Sequence, residues 1–450
     1  MKRGQRRKSK GRVERPVAPS PRRPVARPVR RDFLRLSLKT VDQMQGRLIL
    51  MPLKIHLLLS MKRILFGLLV CLSWSATCPA ALTPVQKQSR AVVLHYSKTV
   101  HAVYRDCQTG AIQLREAIRA FLAAPSEGSL ATAREAWIKA RQPYLQSEVF
   151  RYYAGPIDDA DGPEPLLNSW PLDELYIDAG EGGNGGIIGN EKDYPVIDSK
   201  LILELNLKDG EKNISCGWHA IEFLLWGQDK KADGPGDRPY TDYTTAPHAA
   251  RRGQYLQGCA DLLITHFDDL LGQWAPGELG NYRAIFEEGY EQSIERIITG
   301  MIFLSGNELA GERLQVAWDT KEQEDEHSCF SDTTHQDTIY DAIGLQNVYR
   351  GQYVRPDGTV LSGPGLRALA ELTKPELVPD LDAKIDGTVT AAKAIPYPFD
   401  QAILGEDDAP GRKAVMKTIA HAEDQSSLLR RLARALQIQI PEEAAGDVAG

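Results

Sequence analysis

The chain has 450 residues, 42% of them hydrophobic and 25% charged, an ordinary globular composition whose length suggests two or three domains. Its net charge of −6 hides a split: residues 1–60 hold 17 Lys and Arg against 3 Asp and Glu, a net of +14, which leaves −20 on residues 61–450. An acidic body of that size argues against nucleic acid as a partner.

Residues 1–31 are almost all Arg, Lys, Pro, Val, Gly and Ser, with no period that could bury a face, so a disordered basic leader is expected over 1–60. A new pattern begins at Met61: MKR, the apolar run ILFGLLVCLSWS, then the small residues ATCPAA. That is the anatomy of a secretory signal, predicted over 61–81, and it makes Met61 the expected true start. VRRDFLR at 29–35 has twin arginines but is followed by polar residues, and Val70 before Cys71 and Thr77 before Cys78 do not suit a lipoprotein anchor. The expected location is the periplasm or cell envelope. No later run approaches the roughly 20 apolar residues of a membrane span, so the mature chain is not expected to span one. Cleavage leaves Cys107, Cys216, Cys259 and Cys329, which allow three pairings; Cys216 and Cys329 each abut a polar cluster and are taken as the candidate disulfide.

Apolar residues recur at helical spacing from about 84 to 152, with a break at Pro125–Gly128. Residues 154–198 are rich in Gly and Pro and read as a long irregular excursion, of the kind that covers a site. Helical pattern returns at 199–206, 215–228, 249–274, 281–318, 333–350 and 413–438, and strand alternation is nearly absent. The expectation is all-α: two antiparallel helical bundles, 82–243 and 244–450, joined by long irregular loops. A faint echo between YSKTVHAVYRDCQTGAIQLREAIRAFL and ARRGQYLQGCADLLITHFDDLLGQW, each with a mid-helix Cys, supports two bundles.

The chemistry centres on SCGWHAIEFLLWGQD, residues 215–229. An apolar helix carrying His219 and Glu222 must compensate a buried carboxylate, and residues at i and i+3 lie close enough on a helix to converge on one ligand. Imidazole with carboxylate suits iron, zinc or manganese. Gly217 permits close approach by another backbone. Ala220 and Phe223 rule out H-E-x-x-H, so a hydrolytic base would have to come from elsewhere. The second cluster, KEQEDEHSCFSDTTHQD at 321–337, reads in its first part as a solvated loop; Ser331 or Asp332 is placed to cap the next helix, and Asp332 and His335 repeat the three-residue spacing. Glu148 in QSEVFRYY and Glu312 in ELAGERL are further candidate acids on amphipathic helices.

GWHAIEFLLWGQD resembles the G-x-H-x-x-E signature of the imelysin family, carried here by Gly217, His219 and Glu222. The resemblance extends through AWIKARQPYLQSEVFRYYAGPID, SWPLDELYID, DRPYTDY, SGNELAGERL and EDEHSCFSDTTHQD, over about 90–350. It implies two helical bundles related as a duplication with the motif near their junction, and a periplasmic protein of iron uptake or iron-dependent regulation, acting with an envelope uptake component. The metal ligand set it leads to is His219 and Glu222, completed by Glu148, Glu312 or Asp332; iron is favoured, with zinc as the other ion. The family is also filed as a metallopeptidase. That activity, and an envelope module that binds peptide or sugar without metal, are the alternatives.

Overall fold

A capping box opens the first helix: Thr83 Oγ1 accepts from Gln86 N–H at 3.2 Å, Gln86 Oε1 accepts from Thr83 N–H at 3.0 Å, and Pro84 takes the first helical position, where its missing donor costs nothing. The computed structural model describes residues 81–179 and 185–441, so the predicted leader and almost all of the predicted export segment lie outside the described residues. Helices of nine residues or more are labelled in chain order. Helix α1 (Pro84–Ala123) buries Val93, Tyr96, Val100, Val103, Cys107, Ala111, Leu114, Ile118 and Phe121, a seam at three- and four-residue steps. Ser126 caps α2 (Glu127–Ser147), and the short link folds α2 back along α1.

Helix α3 (Trp218–Trp226) carries the motif and is buried at every residue. The remaining long helices are α4 (Ala249–Trp274), α5 (Tyr290–Ile302), α6 (Thr334–Arg350), α7 (Val378–Ala392) and α8 (Pro410–Ala435). A π-helical stretch, Phe303–Gln315, extends α5. One small hairpin, β1 (Gln352–Val354) with β2 (Val360–Ser362), places Tyr353 opposite Leu361. The fold is thus mostly helical, as the periodicity indicates. The two helices of the internal echo, α1 and α4, lie side by side, with Cys107 and Cys259 both buried.

Helix α4 packs on α1, and α3 packs against α2 and α4. On the other side α7 and α8 pair, and α8 lies along the π-helical stretch. Helix α6 contacts both α2 and α7, while α5 contacts both α1 and α8. The motif helix, the end of α2, the start of α6 and the π-helical stretch therefore meet where the earlier and later helices join. The 154–198 excursion is irregular, as expected, with single helical turns at Glu164–Leu167, Glu174–Ile177 and Gly186–Gly189 that bury Leu167, Ile177 and Ile188.

The disulfide expectation is corrected: all four described cysteines are buried free thiols. Cys216 Sγ turns to the Leu166 carbonyl at 3.5 Å and has Cys259 as its sulfur neighbour, whereas Cys329 lies among Glu222, Glu324 and Glu326.

Gly217 is fixed by geometry. Its φ is +92°, and an added Cβ would stand 2.6 Å from the Leu167 carbonyl oxygen. Close backbone approach is what the sequence implied, and it presses the 154–198 excursion against the start of α3. Gly217→Ala is expected to destabilise the fold by roughly 1–3 kcal/mol from backbone strain alone, with the clash added. Urea unfolding of the two proteins measures it.

Candidate functional site

Burial decides how the motif pair behaves. His219 and Glu222 are 1% and 0% exposed, and His219 Nδ1 lies 2.9 Å from Glu222 Oε2. The other oxygen, Oε1, accepts from Ser331 N–H at 3.0 Å and from Ser331 Oγ–H at 2.6 Å. Both carboxyl oxygens are therefore engaged: Glu222 orients the imidazole and ties α3 to the 326–333 segment. Burial pushes the Glu222 carboxyl up to about 8, partly offset by the Ser331 donors. A carboxylate accepting from Nδ1–H, or a carboxyl donating to Nδ1, satisfies the contact equally. In both forms Nε2 of His219 is buried and unpartnered. Burial, reinforced by the Arg141 charge, holds this histidine well below its usual range, so the ring is neutral.

A second histidine faces it. The rings of His219 and His327 are 4.7 Å apart and inclined at 77°. Nδ1 of His327 meets Asp337 Oδ2 at 2.7 Å, and its Nε2 has only the Asn168 amide at 3.4 Å. Burial and the Arg313 charge push His327 down to about 3, so this ring too is neutral. Asp337 also accepts from Ser328 Oγ–H at 2.6 Å and faces Arg141 at 3.3 Å. Burial opposes ionisation of Asp337, but Arg141 and His327 overrule it and hold the carboxyl well below its normal range. The two imidazoles thus share one design: a carboxylate on Nδ1 and an Nε2 turned away from it.

Beneath them runs a buried ion network. Arg313 donates to Glu148 Oε2 at 2.6 Å, to Asp341 Oδ2 at 2.7 Å and to Glu308 at 2.9 Å. Arg151 also reaches Glu148 at 2.6 Å. Burial raises the Glu148 carboxyl, but Arg151 and Arg313 bring it down to about 2. A cavity of about 350 Å³ opens here, with Arg151, Asn168, Trp170, Glu308, Glu312, Arg313 and His327 in its wall. His327 lines the cavity and His219 lies behind it. A larger groove of about 720 Å³ between Asp106, Lys139, Tyr340 and Arg355 shares no residue with this site.

The structure brings together His219 and Glu222, as the spacing implies, and places Glu148 in the adjacent network, bound to arginines rather than to either histidine. Glu312 is exposed on the cavity wall, because the i→i+5 bonding of the π-helical stretch turns Arg313 inward instead. Asp332 does not join the pair. Its φ is +54°, and its carboxyl faces Asp400 and Asp229. The capping expectation is corrected as well: Ser331 is spent on Glu222, and the cap position of α6 is Thr333, without a side-chain bond. His335 is half-buried against the Tyr397 ring at 5.3 Å. The solvated-loop reading of 321–337 fails from Glu326 onward, where Glu326 and His327 are 0% and 5% exposed. His327, Asp337, Arg141 and Arg313 are the residues that sequence reasoning missed.

The imelysin family model matches residues 100–429. The chain belongs to the imelysin family. It is 26% identical over 307 residues to iron-regulated protein A of Synechococcus elongatus, covering 66% of this chain and 73% of that one. Two crystal structures share the fold. One is a protein named provisionally as an iron-regulated protein A precursor, from Parabacteroides distasonis, with a TM-score of 0.62 and 22% identity over 79% of this chain and 97% of its own. The other is an imelysin-like protein from Psychrobacter arcticum, with a TM-score of 0.58 and 11% identity over 80% and 99%.

Burial, then Asp400 and Asp229, push the Asp332 carboxyl up to about 8 from an ordinary value of about 3.9. A raised folded-state value means that the stabilising proton is fully present below pH ~3.9 and is lost as pH rises through about 8. In divalent-free buffer, Asp332→Asn is therefore expected to gain stability relative to the parent chain as pH rises across that window. Thermal melts at stepped pH test this, and a constant difference would contradict it.

Proposed function

We propose that this imelysin-family chain binds a transition-metal ion, iron first, through Nε2 of His219 and Nε2 of His327. The observation that carries the reading is the unpartnered Nε2 of His219, a buried ring nitrogen whose Nδ1 is fixed on Glu222. A ligating histidine commonly uses its second nitrogen in this way, on a carboxylate that sets tautomer and ring orientation. His327 on Asp337 repeats the arrangement, and both rings are neutral, the form that ligates.

The donor set fits a metal that suits imidazole, a group that includes iron and zinc. Among the described residues no three His, Cys, Asp or Glu side chains are gathered on one point, so two imidazoles form a half-site that non-protein ligands from the cavity complete. Four acids, Glu164, Glu308, Glu312 and Asp325, against Arg151 and Arg313 give that cavity an excess of negative charge, which favours a cation. In this reading Glu222 supports the ligand instead of ligating, and Glu148 holds Arg313 in place. The name of the Synechococcus relative supports iron over zinc, and the export pattern at 61–81 supports a periplasmic setting with an envelope uptake component. Neither oxygen of Glu222 is free to serve as the base that peptide hydrolysis would need.

Protein purified without a metal-affinity tag and titrated anaerobically with Fe2+ is expected to take up one ion per chain. His219→Ala and His327→Ala should each abolish or strongly weaken uptake, and Glu222→Gln should weaken it by about 10–100-fold. Equal affinity in all four proteins sinks the assignment.

A further inference from the structure

On the far side of Ser331 from the histidines, three segments are laced together. Gly236 N–H donates to the Phe330 carbonyl at 3.0 Å, Gln323 donates to Asp229, and Gln401 donates to the Ala232 carbonyl. Between them stand four carboxyls. Glu326 and Asp332 are both 0% exposed, Asp400 is 4% exposed, and Asp229 is half-buried. Asp332 faces Asp400 and Asp229, while Glu326 faces Asp332 and Asp400. The carboxyl oxygens of Glu326 and Asp332 are buried without a well-formed hydrogen bond; the Thr334 hydroxyl stands beside Glu326, and the Asp229 carboxyl stands beside Asp332, near enough to share a proton with it. The cation beside Asp229 is Lys231, itself paired with Asp237 at 3.1 Å.

Buried carboxyls so placed ionise only at a cost of several kcal/mol per ion, and hold a proton instead unless a bound cation takes its place. The arginines that neutralise Glu148, Asp337 and Asp341 are not directed here. We propose that Glu326, Asp332, Asp229 and Asp400 form a second cation site, for Ca2+, distinct from the histidine pair. The chemistry selects the ion: an all-oxygen carboxylate set suits a hard cation, and donors drawn from three loops suit the flexible geometry of Ca2+ better than the strict octahedron of Mg2+. The αL backbone of Asp332 turns its carboxyl away from α6 and toward Asp229 and Asp400. In the structure the oxygens are not gathered on a single point, so binding draws the 228–239, 323–333 and 399–403 segments together. Ser331, which holds Glu222, precedes Asp332 directly, so occupancy here steadies the support of His219.

The inference stands independently of the iron reading, and the test separates them. The full chain, stripped with chelator, is titrated with CaCl2 and followed by calorimetry and thermal melting. One Ca2+ per chain is expected, with a melting temperature that rises with Ca2+ concentration by mass action. The Glu326→Gln, Asp332→Asn chain should melt higher than the parent without Ca2+, because repulsion is removed, and should lose at least about tenfold in Ca2+ affinity. The His219→Ala, His327→Ala chain should keep parental Ca2+ affinity. A parent that does not respond to Ca2+, or a carboxamide variant that binds it as tightly as the parent, overturns the proposal. Should the double carboxamide fail to fold, Asp400→Asn gives the same reading: weakened Ca2+ binding supports the site and unchanged binding overturns it.

Discussion

The Glu222 carboxyl is the junction on which the site depends. One oxygen meets His219 on its own helix, and the other takes both donors of Ser331 from a segment more than a hundred residues away. A fully buried carboxyl of this kind is tolerated only because those partners replace its hydration; each hydrogen bond to a charged group is worth about 1.5–3 kcal/mol. Removing either partner leaves the group stranded at a greater cost. That single side chain therefore sets the rotamer of His219 and the position of the loop that delivers His327.

The buried charges around it follow the same logic on a larger scale. Arg141 answers Asp337, and Arg313 answers Glu148 and Asp341. Arg141 also lies over the Trp137 ring at 5.1 Å, so its guanidinium is stacked as well as paired. Such networks are weak evidence for stability. Their effect here is to place two positive charges near two imidazoles, which reinforces burial in holding both rings neutral. Beyond Ser331 the compensation stops, and Glu326 and Asp332 stand without an arginine.

Much of this was legible in the residues. Three- and four-residue apolar steps located α1, α2, α4, α5 and α6, because each buries one continuous seam. Helix α7 escaped notice: VPDLDAKIDGTVTAA dilutes its seam with Gly and Thr. The motif pair was legible because α3 is regular, so i and i+3 do converge, and Gly217 announced the close approach of the Leu167 carbonyl. The same spacing misled at Asp332 and His335, because Asp332 sits at a positive φ ahead of α6, which begins only at Thr334. It misled again at Glu312, in a π-helical stretch that helical phase angles do not describe. His327 was hidden by its company: KEQEDE is solvent-facing for most of its length, and only tertiary packing shows that the chain dives inward at Glu326. The signal that could have found it is Asp337, which meets the imidazole while accepting from Ser328, the residue beside it.

The central claim is that His219 and His327 hold the metal while Glu222 and Asp337 hold the histidines. Anomalous diffraction from crystals of the iron- or zinc-loaded protein tests it most directly. The account predicts a peak about 2.0–2.1 Å from Nε2 of His219 and of His327, the distance of a metal–imidazole bond, with Glu222 still on Nδ1. A peak on the Glu222 oxygens, or metal found only away from both rings, would contradict it.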